Sequence, residues 1–236
     1  MDDDLAIIID RKMFSDSKVL LTVLTKTYGI QKLSVRVNKN QKFGYQIGNL
    51  IEYSSKFNNC KISYGKCEIS KPYMNLVITD RLKMFSIMSL TEMIDVAFKA
   101  NTNYGALFNS MNQYLSNLVS SIEIKMLEYF VMEIQILKNA GYGLSLQECG
   151  VTGCRDNLIY ISPKTGRSIS ESIGYKYRNK LLSLPQFLLK QTEPKSKLEI
   201  VQAIKSIGYF VQRYIHHNLH SRNRFTDLCL DLYNLS

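Results

Sequence analysis

Residues 18–39 read KVLLTVLTKTYGIQKLSVRVNK. Two runs, 19–24 and 32–37, are rich in β-branched and large apolar residues and are parted by the turn pair Tyr28-Gly29, the pattern of two strands folded back on each other. In the second run polar and apolar residues alternate. Successive side chains of a strand point to opposite faces, so Lys32, Ser34 and Arg36 are expected to share an outer face while Leu33, Val35 and Val37 fill an interior. Three more short runs of this kind flank the hairpin, at 5–9, 49–53 and 60–64, separated by turn formers such as Asn58-Asn59. Five short strands within about 70 residues predict a small closed barrel, because closure removes exposed strand edges. A five-stranded oligonucleotide-binding (OB) barrel is the candidate.

Charge follows the same division. The chain of 236 residues has a formal net charge of +10, and the segment 11–71 alone holds twelve basic residues against three acidic ones. From 82 to 140 the balance reverses, with four basic and five acidic residues. A concentrated positive field attracts polyanions, nucleic acid first and anionic membrane second. No stretch is apolar enough for long enough to span a bilayer, and Met1-Asp2-Asp3-Asp4 is acidic where a signal peptide is basic, so a cytoplasmic protein without membrane contact is expected. Five scattered cysteines, at 60, 67, 149, 154 and 229, then stay as reduced thiols.

After Thr79 the apolar period becomes helical. Asp80 is placed to cap a helix carrying Leu82, Phe85 and Met88, and a second helix surrounds Leu107, Met111, Leu115 and Leu118. Ser120-Ser121-Ile122-Glu123 has the form of a capping box opening a helix through Met126, Phe130, Ile134 and Leu137, which Ala140-Gly141 stops. Ser196-Lys197-Leu198-Glu199 repeats the box before a helix running to about 219, and 222–235 is the last. Within this half, 158–162 and 167–170 are strands joined by Pro163-Lys164-Thr165-Gly166, where proline fixes φ and glycine closes the turn. The expected fold is α+β and multidomain: an OB-fold barrel over 1–79, then an all-α helical domain over 80–236, packed against the barrel, with a small hairpin insertion at about 150–170.

Catalytic signatures are absent from the sequence. There is no phosphate-cradling P-loop and no H-E-x-x-H. His216 and His220 read as one turn apart on a helix, close enough to share a metal, but lack an accompanying glutamate. Cys149 and Cys154 are spaced C-x₄-C with no second pair to complete a tetrahedral site, and neither has a nearby histidine to act as a base. They read as small apolar plugs at the base of the hairpin. The expectation is therefore no catalytic residue, no metal site and no cofactor, neither zinc nor ATP.

The stretch Glu133 to Cys149 (EIQILKNAGYGLSLQEC), then Val151-Thr152-Gly153, 158–167 (LIYISPKTGR) and Leu181-Leu182-Ser183-Leu184-Pro185, resembles the middle of the bacterial RecO family of DNA repair proteins, most closely its alphaproteobacterial branch. Residues 16–25 with Tyr28-Gly29 are similar to that family's first hairpin, and Arg222-Asn223-Arg224-Phe225 to its basic C-terminal helix. The resemblance implies an N-terminal OB domain, a helical C-terminal domain and a mediator of homologous recombination in the RecF pathway. Such a mediator binds single- and double-stranded DNA, anneals complementary strands, works with RecR, contacts the single-stranded DNA-binding protein SSB and helps RecA load. Some members hold zinc through four cysteines near 149–170; this chain lacks that set.

The residues and the resemblance agree on a non-catalytic mechanism, with affinity insensitive to base sequence and falling with salt, and the residues themselves point to phosphate contact by Arg11, Lys12, Lys26, Lys32, Arg36, Lys39 and Lys42. Tyr28, Phe43, Tyr45 and Tyr53 either stack on unpaired bases or fill the barrel core. Two other classes stay open on sequence alone: an RNA-binding OB-fold module, since phosphate and stacking contacts hardly separate RNA from DNA, and a metal-dependent nucleic-acid enzyme.

Overall fold

The computed structural model describes residues 2–15, 17–38, 43–55, 62–100 and 102–232. Strands β1 (Asp2–Ser15), β2 (Lys18–Thr25), β3 (Gly29–Arg36), β4 (Leu50–Ser55) and β5 (Ser63–Lys71) form a closed barrel in the order β1-β2-β3-β5-β4. Every neighbouring pair is antiparallel except β3 with β5. The expected OB barrel is present. Along β3, Lys32 and Arg36 are exposed, whereas Leu33 and Val35, with Val37 just beyond, join Ala6, Ile8, Val19, Leu21, Val23 and Ile51 in the barrel core. Each large aliphatic side chain buried there contributes about 1.5–3 kcal/mol.

Two strands differ in extent from the sequence reading. β1 continues past Ile9 to Ser15, because after a bulge between Ile8 and Asp10 its backbone stays paired with β2 through Asp10, Arg11 and Lys12. The charges interrupt the apolar run without ending its ladder, because backbone pairing does not depend on which side chains the strand carries. The fifth strand lies at Ser63–Lys71 rather than 60–64, and Cys60 and Lys61 fall outside the described residues.

Ile7, Leu24 and Ile30 stand side by side on the outside of β1, β2 and β3, yet all three are buried. An apolar outer face needs cover, and helices supply it. After α1 (Tyr73–Val77), helices α2 (Arg81–Ala97) and α3 (Gly105–Ser120) pack onto β1 and β2. Asp80 caps α2 as expected, its carboxylate accepting from the N–H groups of Leu82 and Lys83 at 3.1 Å each. The sequence boundary at 79 therefore falls inside a larger unit. The chain divides into one compact unit running to Ile124 with Leu219–Phe225, and a second comprising Lys125–Asn218 and Thr226 onward.

In the second unit α4 (Met126–Asn139) precedes a four-stranded sheet of order β6-β8-β7-β9, built from β6 (Ser145–Cys149), β7 (Leu158–Ile161), β8 (Arg167–Ser170) and β9 (Leu182–Ser183). The hairpin β7–β8 was legible in the sequence, with Gly166 at φ +66° closing its turn. Its neighbours β6, parallel to β8, and β9 were not. Between β8 and β9 come α5 (Glu171–Gly174) and a 3₁₀ turn, Tyr175–Lys180; α6 (Gln186–Lys190) and α7 (Lys197–Tyr214) follow, and α7 packs on α4. The last helix is α8 (His220–Leu232), whose first N–H groups, of His220 and Ser221, donate to the Glu92 carboxylate at 3.0 and 2.8 Å.

Helix starts and stops divide into local and non-local cases. Gly141, at φ +91°, ends α4 as read, with the Tyr142 N–H returning to the Leu137 carbonyl at 2.8 Å. Ser196 caps α7 through the Glu199 N–H at 3.4 Å, while the Glu199 carboxylate reaches one residue further back than a capping box, to the Lys195 N–H at 2.7 Å. The expected box at Ser120–Glu123 is not formed. Ser120 and Ser121 end α3 instead, their hydroxyls donating to the carbonyls of Ser116 and Asn117 at 2.9 and 2.8 Å. α4 starts at Met126, and its free N–H groups are taken by a residue 67 positions away: Glu193 accepts from Met126 at 2.9 Å and Leu127 at 3.4 Å. A carboxylate there also meets the positive end of the helix dipole. Glu193→Ala is therefore expected to cost about 1 kcal/mol, and Glu193→Gln less, because the amide keeps the acceptor oxygen. A lowered urea midpoint measures the difference; equal midpoints for the wild type and Glu193→Ala would remove this cap from the account.

Candidate nucleic-acid interface

Residues directly opposite in an antiparallel ladder point to the same side. The β1–β2–β3 register thus lays out the outer face row by row. Lys18 lies opposite Arg36, Lys12 and Ser34 flank Leu20, and Asp10 and Lys32 flank Thr22. Four cations, Lys12, Lys18, Lys32 and Arg36, share this face.

They are not equivalent. The Lys12 ammonium lies 3.7 Å from the Asp10 carboxylate. Asp95 of α2 faces the same rows: partial burial and then the neighbouring Asp10 push its carboxyl above the usual range, with Lys12 and Lys32 opposing them. That end of the face is close to neutral. Among the described residues no carboxylate pairs with Lys18 or Arg36, although like charges directly opposite destabilise a sheet. A cationic pair with no carboxylate partner among the described residues is placed to meet an external anion.

Carboxylates gather on another side of the barrel. On the outside of β1, β4 and β5, Glu52 stands opposite Glu68, and Asp3 shares the neighbouring row with Ser54 and Lys66. Ser70 donates to the Glu52 carboxylate at 3.1 Å. Among the described residues four of the segment's cations thus share the β1–β2–β3 side, whereas Lys66 and Lys71 lie away from it.

Of the sequence candidates, Lys12, Lys32 and Arg36 lie together on the cationic face. Arg11 does not, because it pairs with core-facing Leu21 and is half-buried. Its guanidinium donates to Gln46 Oε1 at 3.2 Å, and Gln46 Nε2 donates to the Phe43 carbonyl at 3.1 Å. Lys26 sits in the β2–β3 turn, at the far end of that hairpin from Arg36, roughly 23 Å along the strand. Lys39 and Lys42 lie outside the described residues.

The aromatic alternatives are also divided by burial. Tyr45 and Tyr53 belong to the barrel core. The Tyr45 hydroxyl donates to the Cys67 carbonyl at 2.7 Å, and burial, then Cys67 and Glu68, pushes it up to about 12. Tyr28 is half-buried. Phe43 is 72% exposed, and so is Phe14, at 75%, beside the β1–β2 turn. Phe14 and Lys18 do not stand out in the sequence: Phe14 lies beyond the apolar run that marks β1, and Lys18 is one lysine among many until the register sets it opposite Arg36. A hairpin closing between Thr25 and Gly29 obliges Lys18 to fall opposite Arg36, and that signal was available.

The cysteine and histidine readings resolve locally. Cys149 is 2% exposed, and its thiol receives the Ser170 N–H at 3.5 Å and hydroxyl at 3.6 Å. Burial alone raises that thiol, but hydrogen bonds from Thr152, Ser170 and Val151 outweigh it and bring it down to about 6. Cys154 takes the Thr152 hydroxyl at 3.1 Å. The histidine pair is corrected: α7 stops at Tyr214, so His216 and His220 are not one helical turn apart, and the Asn218 N–H donates to His216 Nδ1 at 3.1 Å. Among the described residues no three His, Cys, Asp or Glu side chains converge as metal ligands, and no helix is long and apolar enough to cross a membrane.

Comparison with known proteins accords with this arrangement. The family described as Recombination protein O C terminal matches residues 78–223. A DNA repair protein RecO of Orientia tsutsugamushi (strain Boryong) is 36% identical over 221 residues, covering 90% of this chain and 89% of its own. Those of Rickettsia canadensis and Rickettsia africae are 33% and 32% identical, the latter over 97% of this chain and 98% of its own. With an OB barrel at one end, a RecO-type helical segment beyond it and collinear similarity through both, the chain belongs to the RecO family of DNA repair proteins.

Proposed function

We propose that this chain is a non-catalytic recombination mediator, which binds single- and double-stranded DNA, anneals complementary strands, and with RecR helps load RecA onto SSB-coated DNA. The observation that carries the reading is the Lys18–Arg36 pair, without a carboxylate partner among the described residues, on one face of a closed barrel that places Glu52 and Glu68 together on another. Lys and Arg on such a face neutralise phosphates and release counterions, which gives affinity without base readout. Exposed Phe14 and Phe43 add stacking surface for unpaired bases. Two single strands repel through their phosphates, so a surface that screens both lowers the barrier to pairing. No bond is made or broken, and neither nucleotide nor metal takes part. The acidic face orients the protein by turning that side away from the polyanion.

Annealing of complementary oligonucleotides, followed by quenching of end-placed fluorophores without any nucleotide, tests the reading. Purified protein is expected to accelerate pairing of bare strands and of SSB-coated strands, and to lose the effect as salt is raised. Pairing at the spontaneous rate in low salt would refute it.

A further inference from the structure

In the second unit the 3₁₀ turn Tyr175-Lys176-Tyr177-Arg178-Asn179-Lys180 has every residue exposed, and its two tyrosines are 58% and 59% accessible. Three cations lie within six residues, and among the described residues none has a carboxylate partner. A 3₁₀ helix has three residues per turn, so side chains three apart eclipse. Tyr175 therefore shares a column with Arg178 and Tyr177 with Lys180, each ring followed by a cation about 6 Å along the axis. The Arg178 guanidinium lies over the Tyr175 ring, 4.7 Å from its centroid, which fixes the ring from one side. The turn is also firmly seated. A Cβ on Gly174 would come within 2.4 Å of the Tyr160 ring, so the chain enters flush against β7, and it leaves through β9, which pairs with β7.

Two exposed phenol rings on a seated turn, one of them backed by a guanidinium, alternate with cations that have no carboxylate partner among the described residues, which matches the requirements of an unpaired nucleic-acid strand: π-faces for bases and positive charge for the phosphates between them. A duplex keeps its bases stacked inside and offers only the phosphates. We infer that Tyr175–Lys180 is a second nucleic-acid contact, selective for single strands, in which Tyr175 and Tyr177 stack on bases while Lys176, Arg178 and Lys180 meet phosphates. This rests on the nucleic-acid reading above and adds to it a site separate from the cationic barrel face. Single strands then engage two surfaces of one chain, and duplexes one.

The test uses the full chain, a fluorescein-labelled oligo-dT and a labelled duplex of equal length, in fluorescence anisotropy at fixed salt. Tyr175→Ala with Tyr177→Ala is expected to weaken oligo-dT binding about tenfold or more while changing duplex binding less than twofold; Tyr175→Phe with Tyr177→Phe retains wild-type affinity because the ring is kept. Both positions are exposed, and thermal melting checks that the variants fold alike. Unchanged oligo-dT affinity in the alanine variant overturns this inference and leaves the barrel reading standing. So does an equal loss on duplex, or a phenylalanine variant as weak as the alanine one. A wild-type chain that binds neither probe removes the nucleic-acid reading itself, and this site with it.

Discussion

Gly29→Ala is expected to cost about 4 kcal/mol or more of folding stability, the largest single-residue effect foreseen for this chain. Two independent penalties meet at that position. Gly29 adopts φ +72° in the β2–β3 turn, a conformation that costs an alanine about 1–2 kcal/mol. In addition, a Cβ built there would lie 1.7 Å from the Thr102 carbonyl oxygen. That contact is with backbone, and Ile30, the next residue, bridges to Ala100 of the same segment, so neither partner swings aside freely. Gly153 supplies the control, since its φ is also +72° but nothing lies within 4 Å of its Cβ position. Gly153→Ala carries the conformational penalty alone. Urea unfolding followed by circular dichroism should place Gly29→Ala far below Gly153→Ala, and coincident midpoints would show that the segment over the hairpin yields easily.

Lys18→Glu combined with Arg36→Glu is expected to lower affinity for both single- and double-stranded DNA at least ~100-fold at low salt, uniformly across base sequences. The logarithmic salt slope should fall by about 1.8 on duplex and about 1.4 on single strands, if both cations contact phosphate. Lys12→Ala with Lys32→Ala should weaken binding less, because Asp10 and Asp95 already oppose those charges. Glu52→Gln with Glu68→Gln, on the acidic side, should not weaken it at all. The single change Lys18→Glu separates folding from binding: it puts a carboxylate opposite Arg36, adding a few tenths of a kcal/mol to stability while still weakening DNA affinity. Titrations at several salt concentrations measure the slopes. A slope unaltered by the double reversal would place the phosphate contacts elsewhere on the molecule.

Features settled within a few residues were legible in the sequence by itself. The alternation of Lys32 to Val37 determined which side chains enter the barrel, since a strand has no other way to place neighbours. Asp80 announced α2, Gly141 the end of α4, and Pro163 to Gly166 the turn of the second sheet, because each satisfies or bends the backbone through its immediate neighbours. The family was legible too, from collinear runs that need no folding to be seen.

Only the tertiary structure decided matters in which distant residues meet. The Ser120–Glu123 segment had the pattern of a cap, but Glu193 took that role, as any carboxylate brought to a helix start will do. The apolar outside of β1, β2 and β3 recruited α2 and α3, so the first compact unit reaches far beyond the strands. Counting charges located a basic segment but not a basic face, since pairing distributes one segment's cations and carboxylates over both sides of a barrel. Lys18 and Arg36 become a site through register alone: hydrogen bonding between two strands sets them side by side, and no property of either residue taken singly requires it.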